Sequence, residues 1–190
     1  AKTFAVGVRV EHPRSIIDEI QYHGKRDSNL GAAEYRLTTQ QQERGVYSFC
    51  MCPGGFVVPS ATGPDQIVVN GMSAAGRNSQ WSNAAIVVET RPEDITEEFN
   101  SNFSALKGLY WRTAIENKTC ECGNGQQAPA QLLTDFIAGK TSNELPKSSY
   151  APGLVSRDLR DCLPERITSR LRSGFKHFDK PMKGSTCNEA

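Results

Sequence analysis

The spacing of apolar residues changes character near Pro92, and that change limits the fold more than any other feature of the chain. Before it, apolar residues fall in short β-branched runs at 4–10, 33–39, 46–51, 56–58, 66–70 and 84–89, separated by Gly, Pro, Asn and Ser. After it they recur at intervals of three and four, as in Ile167, Leu171, Phe175 and Phe178. Strands followed by helices predict an α+β fold. The expected architecture is an antiparallel or mixed β-sheet built mainly from the N-terminal half and packed by helices from the C-terminal half.

Several elements can be placed more closely. The 4–10 run reads as a complete buried strand, and Pro13 followed by Ile16, Ile17 and Ile20 as a short helix with the proline at its first position. The polar stretch 22–29 reads as a loop. Runs 46–51, 56–58 and 66–70 lie so close, with Gly/Pro turns between them, that an antiparallel meander is expected. Loop 71–83 then leads into strand 84–89. In the second half the pattern predicts a helix near 102–117 capped by Ser101 or Asn102, and another at 128–139 with Pro129 in its first turn and Gly139 at its stop. A short helix capped by Ser156 running to Cys162 and a last helix through Phe178 complete the reading.

A length of 190 residues with 37% hydrophobic content suits one domain, 1–190, with one core. The net charge of +1 gives no electropositive footprint for nucleic acid. Glu165 and Asp179 interrupt the basic cluster between Arg166 and Lys183, which reads as a solvated helix face. No apolar run approaches the ~18–20 residues that cross a bilayer, and no charged start precedes an apolar core as in a signal peptide. A soluble cytoplasmic chain with reduced thiols at its six cysteines is the expectation, which makes the sequons at 102–104 and 117–119 chance matches. The chain runs at once from Ala1 into a strand and trails off after Lys183, so it reads as an excerpt from a longer polypeptide.

Candidates for chemistry are few. Cys50-x-Cys52 and Cys120-x-Cys122 offer four thiols, but one intervening residue gives an awkward bite for tetrahedral zinc, and no metal ligand is assigned. If 46–52 is extended, Cys50 and Cys52 share one strand face as small packing side chains. The Cys-x-x-Cys of a redox dithiol is absent, as is Gly-x-Ser-x-Gly. His12, His23 and His177 fall in a helix start, a loop and an amphipathic helix, and read as structural or surface histidines. Neither dinucleotide nor P-loop glycine fingerprint is present, and Gly123-Asn-Gly125 reads as a helix-end turn.

Two loops remain. Gly54 and Gly55, after Cys52-Pro53, can bring backbone close to another surface without a Cβ in the way. The stretch from Asn70 through Ser73 and Arg77 to Asn83 gathers amides, hydroxyls and a guanidinium, a set suited to a carboxylate or to a carbonyl gaining negative charge. The alternative is an Asx/Ser-rich loop that satisfies its own backbone.

Residues 7–13 (GVRVEHP), 46–58 (VYSFCMCPGGFVV), 69–73 (VNGMS), 128–131 (APAQ) with 134–136 (TDF), and 182–184 with 188–190 resemble, in this order, the middle region of a family of bacterial FAD-dependent dehydrogenases. The resemblance implies an FAD-binding domain in two sequence pieces flanking this chain, with the glycine fingerprint in the first. This chain would be the inserted substrate domain of a flavoprotein oxidoreductase, packed over the flavin, with FAD in the full-length protein and none expected on this chain, which would be catalytically incomplete alone. Its substrate stays open. The implied partner is the flanking FAD-binding domain of the same polypeptide, with no nucleic acid and no membrane. The candidate cofactor-binding or substrate-facing residues are Cys50, Cys52, Gly54, Gly55, Asn70, Ser73, Arg77 and Asn83. The rivals are a zinc-binding module using both Cys-x-Cys pairs and a protein-interaction domain.

Overall fold

The computed structural model describes residues 3–24, 27, 29–61, 63–95 and 104–186. The chain is α+β. Strand β1 (Phe4–Pro13) leads into helix α1 (Arg14–Tyr22), followed by β2 (Thr38–Gln41), β3 (Arg44–Cys52), β4 (Phe56–Pro59), β5 (Val69–Met72) and β6 (Trp81–Thr90). Helix α2 (Lys107–Cys122), β7 (Ala128–Ala130), α3 (Leu133–Ala138), β8 (Leu154–Ser156) and α4 (Glu165–Phe178) follow. The main sheet is antiparallel in the order β1-β6-β3-β2, so β6, the last of these strands in sequence, lies between β1 and β3. That central place suits its Ala-Ala-Ile-Val-Val stretch, which packs on both neighbours.

Alternation along β1 and β6 sends Val10, Ile86 and Val88 to one face, where Val46 of β3 joins them. Helix α4 lies on this face. Ile167, Leu171, Phe175 and Phe178 form one stripe, as their spacing predicts, and Phe136 of α3 meets Phe175 edge to face at 6.0 Å. Each of these side chains contributes about 1.5–3 kcal/mol of gross burial. Helix α4 is not a wholly solvated basic face, however. Arg170 is buried with its Nη1 3.8 Å from Asp94, and Arg172 donates to the Ile137 carbonyl. Asp94 also receives Arg44 in a two-pronged pair, at 2.7 and 3.1 Å, which fastens the end of the sheet to the chain after β6.

Other expectations need correction. The strand expected at 33–39 forms at Thr38–Gln41, because the two-residue turn at Gln42 and Glu43 sets its register against β3; both turn residues have positive φ, as the right-handed twist of a tight hairpin requires. Among the described residues β4 and β5 pair antiparallel as expected, but β3 does not join them in one meander. After Cys52 the chain leaves the main sheet, and β4 pairs with β5 in a separate two-stranded sheet. Residues 128–130 are a strand paired in parallel with β8, so the helix starts only at Leu133, and Gly139 does close it in the left-handed region. Ser156 ends β8 instead of capping a helix. Helix α2 continues to Cys122; its proposed caps, Ser101 and Asn102, lie outside the described residues.

His12 is buried at the end of β1, its Nε2 donating to the Ser185 carbonyl at 2.8 Å, which ties β1 to the C-terminal segment. Burial pushes its pKa below the usual imidazole range, against the opposing effect of the Ser185 hydrogen bond.

Candidate functional site

The bond pattern of β3 makes the site. Phe49 pairs with Ala85 and Cys52 with Asn83, so three steps on β3 span two on β6, a bulge with one extra residue. Cys50 at this bulge has φ +48 and points to solvent, while Cys52 stays buried. The segment is therefore not regularly extended at Cys50, and the two neighbouring thiols differ in exposure. The bulge also frees the Cys50 carbonyl, and it turns toward β1.

Arg9 meets it there. Its Nη1 donates to the Cys50 carbonyl at 3.1 Å and to Asn83 Oδ1 at 2.6 Å, and its Nη2 donates to Asn70 Oδ1 at 3.2 Å. Asn70 also receives the Gly71 N–H. Gly71 is required for this arrangement, since an added Cβ would collide with Arg9 Nη1 and Asn83 Oδ1 and lie 2.7 Å from Cys52 Sγ. Asn83 is fully buried on β6, not in the loop where its sequence position predicts it. Two donors of the cluster, Arg9 Nε and Asn83 Nδ2, are buried without a partner among the described residues.

Burial pushes the Cys52 thiol up, the Cys50 thiol beside it adds to the effect, and Arg9 opposes it. Burial likewise raises the Tyr35 hydroxyl, again against the charge of Arg9. Both groups rest protonated at neutral pH, which suits packing and hydrogen bonding better than nucleophilic work.

Gly54 and Gly55 lie behind this cluster, buried against the loop between β5 and β6. A Cβ on Gly54 would land on the Arg77 carbonyl, and one on Gly55 would come within 2.5 Å of the Met72 carbonyl. Gly54 donates to Ser82 Oγ and accepts from the Ser79 N–H, and Ser73 Oγ donates to the Pro53 carbonyl at 3.0 Å. The surface that comes close to the Pro-Gly-Gly turn is thus this chain's own loop. Arg77 turns outward to an exposed pair with Glu34 at 2.5 Å and takes no part in the cluster. Of the eight expected residues, the structure gathers Cys50, Cys52, Asn70 and Asn83 around Arg9, holds Gly54, Gly55 and Ser73 in the supporting turn, and sets Arg77 apart. Arg9 escaped the sequence reading; its signal was a lone charge inside the alternating Val8-Arg9-Val10 stretch.

A cavity of about 580 Å³ runs along the free edge of β1. Arg9 and Asn70 line it, together with apolar side chains that include Val57, Val69, Val87 and Leu154. This size and mixed lining are those of small-molecule sites. Among the described residues no three His, Cys, Asp or Glu side chains form a metal-holding group, so the four thiols do not assemble into a zinc site. Cys122 lies instead beside buried Cys162, whose thiol is pushed up by burial first and by Cys122 next. No described helix is long and apolar enough to cross a membrane.

The family described as "FAD-dependent protein, C-terminal domain-like" matches residues 3–190. An uncharacterised protein of Clostridium beijerinckii is 40% identical over 196 residues; the match covers 100% of this chain and 36% of that protein.

Proposed function

The chain belongs to the family of FAD-dependent protein C-terminal domain-like chains, and we propose that it is the substrate domain of an FAD-dependent dehydrogenase, shaping the pocket over a flavin held mainly by the rest of the polypeptide. The observation that carries this reading is the Arg9 cluster at the cavity: a guanidinium fixed by three carbonyl-type oxygens, beside two buried donors still lacking an acceptor. The exposed Nη2 of Arg9, with one N–H left over after Asn70, fits an electron-rich acceptor such as the carbonyl edge of an isoalloxazine ring or an anionic substrate. They do not form a pyrophosphate cradle, and the chain has no phosphate-binding glycine loop. FAD, when bound, supplies the two-electron acceptor. This chain's residues do the rest. Arg9 and Asn70 orient the substrate, Asn83 holds Arg9, and the apolar cavity wall excludes water.

The proposed partner is the flanking FAD-binding domain of the same polypeptide. Phe49, Met72 and Phe56 support this: they are 63%, 61% and 43% exposed, and Phe56 pairs with Met72 across β4 and β5. The adjacent Phe56 and Met72, with Phe49 exposed at the cavity, are apolar side chains that a covering domain would bury. Absorbance in the flavin bands tests the division of labour. The 190-residue chain should purify colourless and the complete protein yellow; flavin retained by the short chain, or a colourless complete protein, contradicts it.

A further inference from the structure

Five charged residues line the cavity along β1: Arg9, Glu11, Arg112, Glu116 and Lys147. Of the two carboxylates only Glu116 has a cationic partner among the described residues; Glu11 is held by neutral donors, which leaves the lining with a net positive charge of one. Glu11 accepts from the Ser149 N–H and hydroxyl, and Glu116 pairs with Arg112 at 3.1 Å. Neither Arg9 nor Lys147 has a carboxylate partner among the described residues. Arg9 is the more telling of the two, because it is partly buried, held by neutral oxygens alone, and keeps a buried Nε without an acceptor. A guanidinium placed in that state retains most of its charge for a counter-ion and is already oriented to bind one.

We propose that this cavity takes a carboxylate with an elongated apolar body, its carboxylate on Arg9 and its body along the wall formed by Val57, Val69, Val87 and Leu154. The assignment rests on the substrate-domain reading for its meaning as a substrate class, but the binding site itself stands on the unpaired cation and the cavity. With Nη1 donating to Cys50 and Asn83 and Nε buried, the carboxylate meets Arg9 at the remaining N–H of Nη2, which Asn70, lining the same cavity, holds in place. Lys147 adds a second, exposed positive charge that favours entry of an anion.

Calorimetric titration of the complete protein with 6-phenylhexanoate and with its neutral counterpart 6-phenylhexanamide tests the proposal. The acid should bind at least ten-fold more tightly than the amide. R9M should erase that ratio, while R9K, which keeps the charge and loses the fork, should retain part of it. Equal affinities for acid and amide, or no binding of either, overturn the proposal, and that comparison needs no variant to fold. An R9M protein that folds and keeps the full ratio overturns it as well. Flavin content of the same preparation is measured separately. A colourless protein that still prefers the acid through Arg9 removes the flavoprotein reading and leaves this site; a yellow protein blind to the charge does the reverse.

Discussion

Replacing Gly54 by alanine separates two reasons for the Pro-Gly-Gly turn: contact with an external ring, or contact with the chain itself. The backbone at Gly54 has φ +53, a region that costs an L-residue roughly 1–2 kcal/mol. The added methyl also falls on the Arg77 carbonyl and lies only 3.0 Å from Arg77 Cα, so backbone must move, at roughly 1–3 kcal/mol for overpacking. A middle total of about 3.5 kcal/mol, with a urea m-value of about 2.5 kcal/mol/M for a domain of this size, lowers the unfolding midpoint by about 1.4 M. Fluorescence of Trp81 and Trp111 follows the transition. Gly76→Ala is the control. Its Cβ would meet nothing nearer than the Asn78 side chain at 3.7 Å, and the change should stay within about 0.5 kcal/mol. If the Gly54→Ala chain, measured without flavin, unfolds at the wild-type urea concentration, the contact with Arg77 is not why a glycine stands there.

Two further perturbations address the fastening of the sheet. Asp94→Asn leaves Arg44 and Arg170 buried without their carboxylate and should destabilise by about 3 kcal/mol in the same urea assay, whereas adding Arg44→Met should recover part of the loss. His12→Gln addresses pH. Because burial holds the native imidazole below its ordinary pKa of 6.5, the unfolded chain binds more protons as pH falls, so wild-type stability should drop as pH falls through 6.5. His12→Gln keeps a donor for Ser185 and should lose that slope; an unchanged pH profile would show that His12 does not titrate on unfolding. The Asp94 carboxyl is desolvated, which raises its pKa, but Arg44, the Arg91 N–H and Arg170 together more than offset this and hold it below the ordinary 3.8, so its contribution is lost only in stronger acid.

Much of the fold was legible because local signals agreed with tertiary demands. The 3–4 spacing through Phe178 names the buried face of α4, and the apolar run at 84–89 marks the central strand. The misreadings have specific causes. Ala128-Pro-Ala resembles a helix start, yet its pairing with β8 overrides that signal. The meander failed because proximity in sequence implies pairing only when strands share a sheet, and the bulge at Cys50 turns the chain out of it. At the site, the amide-rich stretch pointed to Asn70 and Asn83, but a cluster joining β1, β3, β5 and β6 depends on register, which no local pattern contains. Arg9 belongs to it only because Arg9 pairs with Ala85.

The place of β6 in the sheet has a consequence for biosynthesis. Phe4 finds its partner in Thr90, and β1 shares no neighbour with the β2–β3 hairpin until β6 slides between them. At about 5–20 residues per second on the ribosome, β1 waits several seconds with both edges bare. Closing so long a loop before any sheet contact repays it makes assembly slow. During that interval β1 presents backbone N–H and C=O groups with no strand to pair them.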